Sequence, residues 1–171
     1  MIPAAHALTA ELEREAVITR RVLERVRQDT LAWRPHGKSM SVAQLANHIA
    51  TIPGGIAHIA ALDGLDASTV NFEPPAVERA DALLPTLESS VEAAKSFLAG
   101  LTDATAAAPW RLTSGDQEIF TIPRIDLMRA LALNHWYHHR GQLSVYLRLL
   151  DVPVPVIYGR SADENPFARA S

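Results

Sequence analysis

The chain has 171 residues, 48% of them hydrophobic and 20% charged, with a formal net charge of −3 and no cysteine. This length and balance fit a single globular domain over residues 1–171 and exclude a disordered chain. Scattered Lys and Arg residues form no basic stripe, which argues against a nucleic-acid partner, and the lack of cysteine removes disulfides, thiolate ligands and a cysteine nucleophile.

The N-terminus runs from Met1 into Glu11, Glu13 and Glu15 without the basic start and apolar stretch of a secretion signal. No run of about 18 apolar residues is present to span a membrane. A cytoplasmic, membrane-free protein is expected. The first helix is predicted from about Ala5 to Gln28, with Leu8, Leu12, Ala16, Leu23 and Val26 on one face, ending before Pro35 and Gly37. The second starts at Ser41, where Ser41 and Gln44 have capping-box spacing, and continues through Leu45, Ile49, Ile52, Ile56 and Ile59 toward Asp63-Gly64. Pro53-Gly54-Gly55 inside it predicts a kink, or an early end and a restart. Residues 66–75 read as loop. A third helix is predicted over about Ala76–Ala99, bent at Pro85 and closed by Gly100 as a left-handed cap. The stretch 101–120 is irregular, with a short extended pair about Ser114-Gly115-Asp116. A fourth helix is predicted from Pro123 to about Leu150, followed by a proline-rich tail, 152–171, lying over the rest as loop. Together these elements predict an all-α four-helix bundle whose third connection is long enough to cross over.

The chemistry concentrates in histidines. His135 and His139 are four residues apart, so both fall on one helix face, with Met128, Leu131, Tyr146 and Leu150 along the same stripe. His138 lies off it. On the second helix His48 is the polar member of an inward row with Leu45, Ile52 and Ile59. Two imidazoles from one helix and one from a facing helix suit a divalent transition metal such as Zn, Ni, Cu or Fe, with open positions for water or substrate. A buried histidine also serves as a hydrogen-bonded core residue, and spacing alone leaves both readings open. Burying three imidazoles without a shared partner is costly, however, because each brings a polar nitrogen that needs pairing.

The run His135-x-x-His138-His139-Arg140-Gly141-Gln142-Leu143 followed by Tyr146-Leu147-Arg148 resembles the final-helix signature of the DinB family. Leu45-Ala46-Asn47-His48-Ile49 resembles that family's first ligand segment, and Val154 to Glu164 its usual ending, with Arg160 where proline is more usual. The resemblance implies a DinB/YfiT-type four-helix bundle, often a homodimer, with a metal held by His48, His135 and His139. It implies either of two activities on a small-molecule substrate: a metal-dependent hydrolase, or an S-transferase using a low-molecular-weight thiol such as glutathione, mycothiol or bacillithiol.

Three neutral ligands leave the ion's charge uncancelled, so it would acidify a bound water or thiol. Hydrolysis normally also needs a general base. Glu11, Glu15, Asp63, Asp126, Asp163 and Glu164 each have a surface or capping explanation, which favours thiol transfer. Arg140 is expected to anchor Asp163 or Glu164. Gln142 continues the inward stripe, where it either has a structural role alone, the favoured reading, or holds substrate or a ligand imidazole. The Tyr158 hydroxyl either approaches the metal or its ring only packs, and Trp33, Trp110 and Trp136 are assigned no role beyond packing. Two alternatives stand beside the enzyme: a noncatalytic metal-binding stress-response module, and a metal-free bundle with core histidines. Zn, Ni, Fe and Mn are the ions to try.

Overall fold

A computed structural model describes residues 1–167, so the last four residues of the expected tail lie outside the described residues. The chain is mostly helical but not all-α. Its long elements are α1 (Pro3–Leu23), α2 (Val42–Ala60), α3 (Leu83–Ala99) and a composite helix. The composite consists of α5 (Arg124–Leu127), a π-helical stretch (Met128–Asn134) and α6 (His135–Leu149). A short α4 (Asp103–Ala107) and three strands fill the connections: β1 (Gly64–Asp66), β2 (Pro109–Ser114) and β3 (Gln117–Pro123).

The strands correct the all-α expectation. The extended pair about Gly115 is a true antiparallel hairpin, Trp110 opposite Ile122, and β1 adds to it in parallel with Gly64 opposite Arg111. Gly115 turns the hairpin at φ +58, a left-handed conformation that a side chain disfavours. Its N–H donates to Asp66 Oδ1 at 2.9 Å. That carboxylate also accepts from Ser68, tying β1 to the turn. Trp110 is 1% exposed and its indole donates to the Ile59 carbonyl at 3.0 Å, which fastens the sheet to the C-terminal end of α2.

Around the core, α1 packs against α3 and α6, and α2 packs against the same two. The sequence-adjacent α1 and α2 therefore sit at opposite corners, and so do α3 and α6. The α3-to-α6 connection crosses the bundle, as its length allowed. Leu12, Leu45, Ile49, Leu83, Leu87, Leu98, Leu127, Leu143 and Trp136 are among the fully buried residues of one continuous core.

Several boundaries differ from expectation for identifiable reasons. Helix α1 ends at Leu23 rather than Gln28, and the chain turns into a 3₁₀ turn at Gln28–Thr30. Helix α3 starts at Leu83 rather than Ala76, so Pro85 falls in its first turn, where the missing N–H has no intrahelical acceptor to lose. No bend is required there. Gly100 closes α3 in the right-handed region (φ −80, ψ −8), its N–H returning to Ser96 and Phe97 carbonyls, so the left-handed cap is not used. The Ser41–Gln44 capping box forms as expected.

Helix α2 runs unbroken through Pro53. Proline at 53 has no N–H for the Ile49 carbonyl, and the Trp136 indole of α6 supplies one instead at 2.8 Å. At Gly54 a Cβ would lie 2.9 Å from both Cα and O of Ser90, so glycine lets α2 and α3 approach this closely. Its N–H donates to Ser90 Oγ at 2.8 Å. Substituting Trp136→Phe keeps most of the ring volume but strips the Ile49 carbonyl of its donor. The variant is expected to lose about 1–3 kcal/mol in urea unfolding, the usual effect of stranding a buried acceptor. An unchanged midpoint would show that the bond contributes nothing to α2 continuity.

Candidate metal centre

His48 comes from the middle of α2, and His135 and His139 from the first turns of α6. Each offers a ring nitrogen, and the three nitrogens lie within 4.8 Å of one another. Ring centroids are 5.2 Å apart for His48–His135, 4.6 Å for His48–His139 and 4.4 Å for His135–His139. The structure thus brings together all three histidines singled out from the sequence. His139 is 8% exposed, while His48 and His135 are only half-buried, so the group opens to solvent on their side.

The π-helical stretch just ahead of His135 was not legible in the sequence. Its wider turn has the His135 N–H bonding back to the Ala130 carbonyl, and such segments recur at functional sites. It also rotates the helix. Leu131, expected inward, is half-buried, while Ala132 and Leu133 are buried.

The nitrogen geometry tests whether a cation fits. His135 Nε2 and His139 Nε2 are 2.7 Å apart, a contact that takes one proton between them. With that proton on His135 Nε2, His135 Nδ1 is a bare acceptor buried without a hydrogen-bond partner, which costs about 1–3 kcal/mol. A divalent cation on the two Nε2 lone pairs would remove the contact and leave His135 its proton on Nδ1, beside the Leu131 carbonyl. Among the described residues this is the one group of three or more ligand-type side chains, and it contains no carboxylate. Such a donor set fits a borderline transition metal.

Burial governs the protonation of these rings. Desolvation, then the neighbouring His139 and His135 charges, pushes His48 down to about 4. Desolvation likewise pushes His139 down to about 4, against the opposing effect of Gln142. His135 is lowered by desolvation and by His138. Below the ordinary value of 6.5 the unfolded chain therefore binds protons that the folded chain refuses until about pH 4. The metal-free protein should lose stability as pH falls through that window and keep it in full above. Thermal melts at about pH 7 and about pH 5 check this, and a His48→Asn/His139→Asn double variant should flatten the difference. The lowered carboxylates Glu11, Asp163 and Glu164 start from 4.5 or 3.8 and titrate below most of this range.

Around the three rings lie polar contacts that the sequence placed only in part. Gln142 Oε1 is 2.7 Å from His139 Nδ1. His138 is exposed, its ring centroid 5.0 Å from that of His139. Arg140 does not anchor the tail carboxylates. It is 1% exposed and donates to Glu15 Oε2 at 2.5 Å, Thr19 Oγ1 at 3.0 Å and the Tyr158 hydroxyl. Its guanidinium lies 5.2 Å from the ring centroids of both Tyr137 and Tyr158. The Tyr158 hydroxyl is thus committed to Arg140 and Glu15. Asp163 pairs instead with Arg148, and Glu164 with Arg21 and Arg25. Glu11 takes both nitrogens of Arg129 at 2.7 and 2.6 Å and accepts from Tyr137 at 2.8 Å. Trp110 and Trp136 are core, and Trp33 stacks edge-on against Tyr146. No described helix is long and apolar enough to cross a membrane.

Solved structures share this fold. A DinB-like protein from Bacillus cereus matches with TM-score 0.68 at 22% identity, covering 90% of this chain and 97% of that one. A DinB-like protein from Bacillus subtilis matches with TM-score 0.66 at 21% identity, covering 91% and 99%. A DinB-family structure from Exiguobacterium sibiricum matches with TM-score 0.67 at 22% identity, covering 91% and 97%. No curated protein matches the chain. The DinB family model matches residues 1–166. With the three-histidine group and the fold in agreement with that match, the chain belongs to the DinB family.

Proposed function

We propose that the protein is a metal-dependent enzyme, a thiol S-transferase in the first instance, working at a divalent transition metal held by His48, His135 and His139. The observation that carries this reading is the donor set: three imidazoles kept neutral by burial, without a carboxylate, at a point open to solvent beside His48 and His135. A divalent cation so held supplies a strong Lewis acid that lowers the pKa of a coordinating thiol or water. The α1 carboxylates support the choice of thiol over water. Glu11 is held by Arg129 and Tyr137, and Glu15 by Arg140 and Tyr158, so neither stands free as a base. In the transfer, thiol sulfur bonds to an electrophilic carbon, the leaving group departs with its electron pair, and the thiol proton passes to solvent.

The test is thiol consumption by metal-loaded protein with monochlorobimane and glutathione, mycothiol or bacillithiol in turn. Metal-dependent loss of thiol that disappears in His139→Ala supports transfer. A hydrolase reading has its own support in His138, an exposed imidazole placed beside the centre and able to take a proton from water. Turnover of an ester or amide panel without thiol consumption would select it. No turnover in either assay would favour a noncatalytic metal-binding module.

A further inference from the structure

We infer that Gln142 is a positioning residue: its side-chain oxygen holds His139 in the tautomer that turns the Nε2 lone pair toward His48 and His135. The inference rests on the three-histidine metal reading, but it concerns an atom that can be observed without metal. His139 Nδ1 and Gln142 Oε1 are 2.7 Å apart. An amide oxygen only accepts, so the proton of a neutral His139 sits on Nδ1. Nε2 is then a bare lone pair, and it faces His135 Nε2 at 2.7 Å. Which ring nitrogen can take a metal is set by the bond that the other makes.

Backbone geometry makes the arrangement rigid. Gln142 follows His139 by three residues in α6, a spacing that brings the two side chains together on one face. The oxygen therefore reads the ring from its own helix and needs no other element to be in place. His135 has no such partner, its Nδ1 being unbonded. The two ligands of α6 thus differ: His139 is preset by Gln142, while the 2.7 Å contact with the bare His139 Nε2 puts the His135 proton on Nε2, and it must move to Nδ1 before His135 Nε2 can take a metal. This predicts that Gln142 contributes to affinity through His139 alone.

Nitrogen-15 NMR of the imidazoles and metal titration against a chromophoric chelator test the inference together. In metal-free wild type, His139 should show its proton on Nδ1. In Gln142→Leu that preference should be lost, and Zn affinity should fall roughly 10- to 100-fold with the helical content unchanged. Gln142→Glu keeps an acceptor and should restore both the tautomer and the affinity. A wild-type His139 protonated on Nε2, or a Gln142→Leu variant with unaltered tautomer and affinity, would overturn the inference, as would a Gln142→Glu variant as weak as Gln142→Leu. If wild type shows the Nδ1–H tautomer yet binds none of Zn, Ni, Fe or Mn, the metal reading fails while the positioning role of Gln142 stands.

Discussion

In His139→Ala, bound transition metal is expected to fall from about one equivalent per chain to background, with the helical circular dichroism unchanged. His135→Ala and His48→Ala should behave alike, because each removes one of the three candidate ligands among the described residues. The expected loss is large because an ion held by these three rings would join α2 to α6. A ligand that binds the folded state alone raises stability with its concentration, by about 4 kcal/mol at roughly a thousand times its Kd. For a chain of this size that corresponds to about 10 °C in Tm. Wild type should therefore melt higher on addition of the right ion, and the three alanine variants should not respond. Elemental analysis and melts with Zn, Ni, Fe and Mn measure both effects. A wild-type protein that stays metal-free and unresponsive would make the histidines core residues.

Arg140→Ala is expected to be the most damaging single change to an ion pair in the molecule. The Arg140 side chain is 1% exposed and that of Glu15 is 12% exposed. Removing the guanidinium leaves the Glu15 carboxylate without its counter-charge and with only the Tyr158 hydroxyl as donor, takes donors from Thr19 Oγ1 and the Glu15 carbonyl, and removes the cation beside the Tyr158 ring. Breaking a buried pair from one side costs about 3–5 kcal/mol, or roughly 10 °C in Tm here. Arg148→Ala provides the contrast: it breaks a pair with Asp163 whose arginine side chain is 49% exposed, and such pairs contribute about 1 kcal/mol or less. A double variant, Arg140→Met with Glu15→Leu, removes the uncompensated charge and should recover much of the loss. Equal melting of the two single variants would show that the Arg140 hub does not bind α1, α6 and the tail together.

Much of this protein was legible in one dimension. The capping box at Ser41, the apolar stripes and the four-residue spacing of His135 and His139 are local properties, and local backbone geometry converts them directly into a helix start, an inward face and two stacked imidazoles. His48 was legible as the polar member of an inward row, and the DinB resemblance carried it to the other two histidines. The tail carboxylates were visible, but their partners were not.

What the sequence left open are features decided by contacts between distant segments. Pro53 and Gly54 read as helix breakers because propensity counts only the chain's own neighbours. Helix α2 persists because Trp136 feeds the Ile49 carbonyl and Ser90 takes the Gly54 N–H. Strand β1 is three residues long and exists as a strand only through its pairing with β2, so no periodicity could announce it. The π-helical turn ahead of His135 and the choice of Glu15 rather than Asp163 for Arg140 likewise depend on how α6 seats against α1 and α2. The sequence by itself determined which imidazoles are available and on which helix faces they lie, since 3.6-residue periodicity is a local rule. Only the tertiary structure decided that His48 meets His135 and His139 at one point, because that meeting depends on burial and close packing summed over the whole core.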